Sequence, residues 1–397
     1  MSKIKILIAG DFCAGKLDEG FDYAAVNKTV AEPVRRITEA HDISVVNVET
    51  VFSDNGEPIK KDGGNIKSHG SALSLLKNMN FTIGACANNH FGDFGEVGVE
   101  ETLANLHNLG MLTVGAGENE VQAQKPLYLE KDGIKIALIN CAEHEYGIAK
   151  KDRAGAAGVD YYITGNLVKQ AKKNADKVIV YMHGGNEHNP LPRPGLKKLC
   201  HFLSEQGADA VILAHSHCPL GSEIYNHTPI IYGMGNFYFP SPKLECLPMW
   251  EKGYMVSLTV ERDADIKYKI IPYIQHKDGK RIEILQGEER ERFGDYVKCI
   301  SNLLQNEKIY DKMVIVWSAE YVNRLKSLLE EQDRAPHSAH SLYMRNTYTC
   351  ESHSEVFATY YEAYCENRLE GLEKYKEMTK KLQRGEIVYT QEENIKQ

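Results

Sequence analysis

Apolar, β-rich runs alternate with helical patterns along the first two-thirds of the chain. Such runs are typical of buried strands in α/β proteins. The predicted strands are 4–9, 43–46, 81–87, 135–140, 178–182, 210–214, 229–232, 253–261 and 266–274. Apolar residues at helical spacing predict helices over 72–78, 96–109, 166–174 and 195–206.

The last strands follow one another without helices between them, which indicates more than a single parallel sheet. We therefore predict an α/β fold of four layers, an αββα sandwich of two mixed sheets with helices outside. Turn residues at 277–279 place the end of this domain near residue 280. The predicted domains are 1–280 and a helical region, 285–397.

Helical patterns in that second region cover 296–304, 320–331, 354–367 and 372–382. One-sided apolar faces, as in Tyr296, Ile300 and Leu304, require a docking partner. We expect the region to pack beside the functional cleft, shaping specificity without metal ligands, or to form a homodimer surface. A stabilising cap remote from the cleft is the alternative.

Polar side chains suited to metal binding stand directly after several predicted strands. Ligands in α/β sheets gather where the carboxyl ends of strands meet. The side chains concerned are Asp11, Glu49, Asn89, His183, His215 and His217. Carboxylate, amide and imidazole together suit Zn, Mn or Fe, and Glu49 is the candidate bridge between two divalent ions. Two metals can polarise a phosphoryl or acyl oxygen and activate a shared water, which is hydrolase chemistry.

The composition and charge of the chain limit the kinds of molecule that the protein is expected to bind. The net charge of −8 gives no basic footprint for nucleic acid. No apolar run approaches the ~20 residues of a membrane span. Nine scattered cysteines and a start that enters a strand at once fit a cytoplasmic protein with reduced thiols. An anionic small molecule or polymer is the expected substrate.

Five ordered motifs make the pattern more specific. The string 87–95, Ala-Asn-Asn-His-Phe-Gly-Asp-Phe-Gly, resembles the A-N-N-H-x-x-D-x-G signature of the CapA family, associated with poly-γ-glutamate capsule synthesis. The other motifs are Asn-Val-Glu-Thr at 47–50, His-Gly-Gly-Asn-Glu at 183–187, His-Ser-His at 215–217 and Gly-Asn-Phe at 235–237. The resemblance covers about residues 4–240 and leaves out the helical region.

That family is related to the calcineurin-like metallophosphatases, so the resemblance implies a metallophosphatase-like sandwich. It implies one metal near Asp11, Glu49 and His217, and a second near Glu49, Asn89, His183 and His215. It also implies that His90 acts as an acid or stabilises an oxyanion. The phosphatases usually carry D-x-H on the first strand, whereas this chain has Cys13 at the histidine position. Cys13 is either a thiolate ligand or a small buried apolar residue.

Other residues have two interpretations each. Asp93 either holds the His90 imidazole in one tautomer or caps a helix. Five further residues either contact the substrate or are ordinary solvated side chains. They are Glu187, Glu143, Glu145, Lys67 and His69. Glu143 and Glu145 could also bind an additional metal.

The primary hypothesis is a metal-dependent hydrolase that cleaves a phosphoester, with an amide as second choice, in an anionic capsule or cell-envelope substrate. The rival is a CapA-like protein that binds poly-γ-glutamate or a similar acidic polymer in capsule assembly without turnover. The missing first-strand histidine favours the rival. The pair Asn89 and His90, together with the later histidines, argues for the enzyme.

Overall fold

The protein is described by a computed structural model that covers residues 2–15, 17, 20–242, 248–325, 330 and 335–389. Its strands form an eight-stranded and a six-stranded mixed sheet, and a small two-stranded sheet. In chain order they are β1 (Lys3–Phe12), β2 (Ile43–Val48), β3 (Ile83–Ala85), β4 (Leu112–Val114), β5 (Ala116–Gly117), β6 (Leu127–Lys131), β7 (Ile134–Ala142), β8 (Gly155–Ala156), β9 (Lys177–His183), β10 (Ala210–Ala214), β11 (Ser222–Tyr225), β12 (Thr228–Ile231), β13 (Asn236–Tyr238), β14 (Lys252–Glu261), β15 (Lys267–Gln275) and β16 (Ile282–Ile284).

The α-helices flank the sheets and continue to the end of the described chain. They are α1 (Glu32–Thr38), α2 (Leu73–Met79), α3 (Gly95–Asn108), α4 (Glu120–Ala123), α5 (Tyr161–Asn174), α6 (Pro194–Glu205), α7 (Gly287–Gln305), α8 (Glu307–Arg324), α9 (Ala339–Thr349), α10 (Glu351–Cys365) and α11 (Glu373–Gln383). A π-helical turn, Asn27–Ala31, precedes α1, and a short 3-10 turn, Gly70–Ala72, precedes α2.

Two apolar cores define the layers. One face of β1, with Ile4, Ile6 and Ile8, packs in the same core as the residues of β7, β9 and β10. The opposite face, with Leu7 and Ala9, packs against residues of α1, α2 and α3. The six-stranded sheet is covered on its outer side by α5 and α6, whose buried residues belong to the first core. The predicted four-layer sandwich of two mixed sheets is confirmed.

The larger sheet runs β16-β15-β14-β1-β2-β3-β4, with β13 paired to β1, and the smaller runs β11-β12-β10-β9-β7-β6. Strands β1 to β4 pair in parallel, as do β7, β9, β10 and β12. Their carboxyl ends therefore meet at one edge of each sheet. The hydroxyl of Tyr181 on β9 donates to the Ala9 carbonyl at 2.7 Å, which ties the two sheets together near that edge.

Several boundaries differ from the sequence prediction. The strand predicted at 81–87 is only Ile83–Ala85, because Cys86 onward turns toward the site. Helix α5 begins at Tyr161, five residues before the predicted start, since the Asp160 carboxylate caps it by accepting from the Ile163 N–H at 2.8 Å. The residues predicted as a boundary, 277–279, form a turn between β15 and β16.

The helical region is longer and more regular than predicted. The helix expected at 296–304 runs from Gly287 to Gln305, and the sequence prediction missed α9 and the greater part of α8. The helix expected at 320–331 coincides with the end of α8, and its later part lies outside the described residues. Among the helices that the structure describes, none is both long and apolar enough to cross a membrane.

The helices α7 to α11 are here called the helical tail, and apolar residues of α7, α8 and α11 belong to the sandwich core. Phe293, Tyr296, Ile300, Leu304 and Tyr310 belong to the same apolar cluster as β9 and β10. Polar contacts reinforce this packing, because Tyr310 donates to the Pro192 carbonyl at 2.9 Å. The tail therefore lies against the sandwich at the side of the strand ends.

Candidate metal centre

The strand ends bring together the six side chains predicted as ligands. In the parallel pairing, His183 at the end of β9 lies opposite Ala214, the last residue of β10, and Asp11 on β1 lies opposite both Asn47 and Asn236. His215 and His217 follow β10 directly. Their rings lie close together, with centroids 4.6 Å apart for His183 and His215, and 6.0 Å apart for His215 and His217.

Glu49 occupies the middle of this group. Its Oε1 atom lies 3.8 Å from His183 Nε2 and 3.9 Å from His217 Nε2. The side chain is fully buried, and the Glu49 N–H donates to the Phe12 carbonyl at 3.0 Å, which fixes the residue beside β1. A carboxylate between two histidines that belong to different clusters is in the position of a bridging ligand.

One cluster joins Glu49, Asn89, His183 and His215. His183 Nε2 lies 3.0 Å from Asn89 Oδ1 and 3.0 Å from His215 Nδ1. Ligand atoms around a tetrahedral zinc with bonds of about 2.0–2.1 Å are separated by roughly 3.3 Å. The observed separations of 3.0 to 3.8 Å, two of which are also hydrogen-bond distances, are compatible with atoms that share a cation.

The other cluster joins Asp11, Glu49 and His217, whose ligand atoms all lie within 4.8 Å of one another. His217 Nδ1 contacts Asn236 Oδ1 at 2.8 Å, so that with its proton on Nδ1 the ring directs Nε2 toward Glu49. Cys13, the alternative ligand, packs instead in a small buried apolar cluster with Ile66, Phe239 and Trp250.

The chemistry of these donors fits divalent cations. Burial, together with the neighbouring His215 and His217, holds the pKa of His183 well below its usual range, and burial acts in the same way on the pKa of His217. Neutral imidazole is the form that binds metal. Burial also raises the pKa of Asp11 to about 6, against the opposing effect of the Asn47 hydrogen bond, and a nearby cation would favour the charged carboxylate.

His90 stands beside the clusters with its own support. Its Nε2 lies 4.0 Å from Glu49 Oε1, while Nδ1 contacts Asp93 Oδ2 at 2.7 Å. Asp93 also accepts from Lys61 Nζ at 2.5 Å and from the Ile66 N–H at 2.7 Å. The charge of Lys61 balances that of the buried Asp93 carboxylate. Asp93 in turn holds the His90 imidazole with Nε2 toward Glu49. Burial, then the charge of Lys61, lowers the pKa of His90.

A cavity of about 740 Å³ opens over both clusters. Among the residues predicted to contact substrate, Glu145 and Glu187 line it. Glu145 Oε1 lies 3.5 Å from His215 Nε2, and Glu187 Oε1 lies 3.9 Å from His217 Nε2.

The other three residues predicted to contact substrate do not line that cavity. Glu143 is buried and ion-paired with Arg193, and it accepts from the Gly185 N–H at 3.0 Å. Lys67 lies over the Phe94 ring, and His69 caps the 3-10 turn by accepting from the Ser71 N–H. These three positions stabilise local structure in the described fold.

Several site residues were not singled out from the sequence. Asn47 donates to Asp11 Oδ1 at 2.8 Å, and Asn236 contacts His217; both stood inside the quoted motifs. Lys61 had no motif. The helical tail adds one wall of the cavity through Tyr321, Arg324, Asn346, Ser352 and His353. Its lining residues fit the expected position beside the cleft rather than the remote cap.

The backbone around the histidines is unusual. His215 and His217 have φ angles of +99° and +51°, a region that side chains with a Cβ rarely adopt. Such conformations cost free energy and cluster at functional sites. His215 contacts His183 at the end of β9, and His217 lies beside Asp11 and Glu49.

The fold and the clusters define a four-layer α/β protein with candidate metal ligands at its strand ends. The family model for the bacterial capsule synthesis protein PGA_cap matches residues 5–241, and the chain belongs to this family. It is 30% identical over 235 residues to the PGA biosynthesis protein CapA of Bacillus subtilis, covering 58% of this chain and 62% of that protein. It is 28% identical over 173 residues to the capsule biosynthesis protein CapA of Bacillus anthracis, covering 42% of each.

The chain thus spans less than two-thirds of the length of these relatives. A looser structural similarity, with a TM-score of 0.45 and 14% identity, links it to the crystal structure of a novel phosphatase of Mycoplasma pneumoniae, covering 69% of this chain and 94% of that one.

Proposed function

We propose that the protein is a hydrolase dependent on two divalent metal ions, acting on a phosphoester in an anionic substrate related to the capsule or cell envelope. The observation that carries the proposal is the position of Glu49 between two buried clusters, with Oε1 3.8 Å from His183 Nε2 and 3.9 Å from His217 Nε2. Asp11 and His217 would hold one ion, and Asn89, His183 and His215 the other.

Bound there, the ions would supply Lewis acidity and lower the pKa of a coordinated water. The remaining work falls to the chain. Asn236 and Asn47 orient His217 and Asp11, since each contacts the side chain that it positions at 2.8 Å. Residues 61–66 and residues of the helical tail line the cavity above the strand ends.

His90 has the geometry of a proton donor to the leaving group. Asp93 hydrogen-bonds with His90 Nδ1, so that His90 Nε2 faces the cavity. Burial and Lys61 lower the pKa of His90, so less of its imidazolium is present at neutral pH, but that imidazolium is a stronger acid toward a leaving oxygen. In this proposal His90 and Asp93 are the acid and its positioning partner.

The substrate class rests on the family and on one cationic side chain of the cavity wall, Arg324. The relatives bear the names of capsule and PGA biosynthesis proteins. Arg324 lies on the cavity wall, stacked 5.4 Å from Trp317 and 5.7 Å from Tyr321, and no carboxylate of the described residues forms an ion pair with it. We expect Arg324 to contact an anionic group of the substrate, with Glu187 contacting a polar group nearer the metals.

The test joins metal analysis to an activity screen. Purified protein should carry Mn, Zn, Fe or Co by elemental analysis and hydrolyse an aryl phosphate when reconstituted with at least one of them. Protein that retains metal but turns over no ester or amide, and binds poly-γ-glutamate, would instead support the binding-protein alternative. Protein that binds no divalent metal would overturn both the site and the reaction.

A further inference from the structure

A second group of metal-compatible side chains joins the helical tail to the sandwich. It consists of Glu145, in the loop after β7, and of Cys350 and His353, at the start of α10. One ligand atom from each lies within 4.8 Å of the others. We propose that these three residues form an additional divalent-metal site, for which zinc is the preferred ion. This site goes beyond the proposed hydrolase, although Glu145 also contacts two of its proposed ligands, His215 at 3.5 Å and Asn89 at 2.8 Å.

Local structure places two of the donors on one side of a helix end. Cys350 is the N-cap of α10, and His353 is the third residue of its first turn. Residues three apart on a helix lie on the same face, so thiol and imidazole point the same way. The Cys350 N–H donates to the Asn346 carbonyl at 2.9 Å, which holds the cap residue against the end of α9.

His353 and Glu145 are each held by a hydrogen-bond partner, and each keeps one possible ligand atom directed toward the other donors. His353 Nδ1 contacts the Tyr321 hydroxyl at 2.6 Å, so Nε2 faces Glu145 Oε1 at 3.9 Å. Glu145 Oε2 accepts from the Asn89 amide at 2.8 Å, which fixes the carboxylate plane. Metal-binding histidines commonly hydrogen-bond through their other ring nitrogen, as His353 does with Tyr321.

The three donors would have to move closer together to hold a tetrahedral zinc. Zinc bonds of about 2.0–2.1 Å to nitrogen and oxygen imply atoms roughly 3.3 Å apart. His353 Nε2 and Glu145 Oε1 are 3.9 Å apart, and all three donor atoms lie within 4.8 Å of one another. Thiolate with imidazole and carboxylate favours zinc over magnesium or calcium. Three protein donors leave a fourth position open toward the cavity.

The ion has a route of entry, since Glu145 and His353 both line the large cavity. Cys350 is 1% exposed and its sulfur contacts the Ser352 hydroxyl at 3.0 Å. Binding therefore requires the thiol to release its proton to solvent as the sulfur–metal bond forms. This assignment revises the expectation that the helical tail supplies no metal ligand.

Cobalt(II) is the probe, because a cysteine ligand gives it a near-ultraviolet thiolate-to-metal absorption that nitrogen and oxygen ligands do not give. The full-length protein titrated with cobalt should develop this band. Cys350→Ser should abolish the band and bind one equivalent fewer, whereas Cys13→Ser should keep both. His183→Asn should lose cobalt from the hydrolase clusters and keep the band, which separates failure of the two sites.

His353→Gln provides a second variant should Cys350→Ser fold poorly, and it should also bind one equivalent fewer. Zinc should raise the melting temperature of the wild type more than that of His353→Gln, because a ligand stabilises the state that binds it. No thiolate band in the wild type, a band that survives Cys350→Ser, or a band lost in Cys13→Ser would overturn the proposal.

Discussion

At the scale of single residues, neighbouring side chains of similar chemistry are given different tasks by their surroundings. His90 and His183 both face Glu49, at 4.0 and 3.8 Å. His183 contacts Asn89 and His215 through the same nitrogen, in the manner of a shared ligand. His90 is anchored from behind by Asp93 and Lys61, and its Nε2 faces the open cavity.

This difference predicts two distinct losses. His90→Ala should leave metal content near wild type and lower turnover by about 10²–10⁴, the usual scale of acid–base catalysis. His183→Ala should remove metal and activity together, because a cluster loses its central nitrogen. The readouts are elemental analysis and steady-state rates on the same preparations.

His107→Ala is the matched control, since that imidazole is exposed on α3 and its Nε2 contacts the Thr113 hydroxyl at 2.8 Å, away from the clusters. It should change neither quantity. Equal metal loss in the His90 and His183 variants would make His90 a ligand and contradict the proton-donor assignment.

At the scale of elements, the loop after β3 depends on a contact between two backbones. A Cβ added to Gly92 would overlap Gly147, and Gly147 has a φ of +71° in the loop after β7. This contact sets the loop with His90 and Asp93 against the loop with Glu145. The two strand ends therefore fix the site jointly.

Gly92→Ala should destabilise the protein by about 1–3 kcal/mol, as overpacking does, and should lower activity more than stability alone explains. Gly294→Ala is the control of opposite sign. Gly294 lies within α7 with open space around it, so alanine there should stabilise by about 0.5–1 kcal/mol. Urea unfolding measures both; a neutral Gly92→Ala would show that the loops can separate without cost.

A second element contact ties α10 to the sandwich through His144 and Glu351. Their Nδ1 and Oε1 atoms lie 2.6 Å apart, and this hydrogen bond raises the pKa of His144 against the opposing effect of burial. A pKa raised in the folded state gives stability that is present below the unfolded value, about 6.5, and is lost as the pH rises through the folded value.

His144→Gln should therefore cost more at about pH 5.5 than at about pH 8.5. Both side chains are about 40% exposed, so solvent screening limits the difference to about 0.2–1 kcal/mol. Urea unfolding at the two pH values measures it. His227→Gln, at an imidazole whose side chain is 82% exposed beside Asp265, should show no comparable change. Equal costs for His144→Gln at both pH values would contradict the ion pair.

The sequence predicted the centre better than its surroundings. The six predicted ligands follow strands, and parallel strand ends must meet, so their convergence follows from periodicity alone. The role of Asn236 in orienting His217 could not be predicted without the strand register that places Asn236 beside Asp11. Lys61 comes from an irregular loop and His353 from a tail helix, whose positions depend on tertiary packing that no local pattern encodes.

At the scale of the molecule, apolar side chains of the helical tail form part of the sandwich core. Ile300 and Leu304 are fully buried in the core that also holds β9 and β10. Tyr296 donates to the Leu382 carbonyl at 2.9 Å, which fastens α7 to α11. Removing the tail would therefore open the core as well as one wall of the cavity.

A chain ended after Gln286 should lose soluble yield and cooperative unfolding. Ile300→Ala is the graded version and should lower the free energy of unfolding by about 2–5 kcal/mol. Tyr348→Ala, at a side chain that is 78% exposed on α9, should stay within about 0.5 kcal/mol. A soluble truncated chain with wild-type stability, metal content and activity would show that the tail serves neither the core nor the site.

The central place of β1 has a consequence for synthesis in the cell. Lys3 pairs with Glu261 on β14, so one edge of β1 has no partner until the chain near residue 261 has been synthesised. At ribosomal rates of about 5–20 residues per second, that wait lasts roughly 10–50 s. During it a strand with the apolar residues Ile4, Ile6 and Ile8 offers an open edge of the kind that promotes aggregation. We therefore expect the nascent chain to need chaperone protection until β14 emerges.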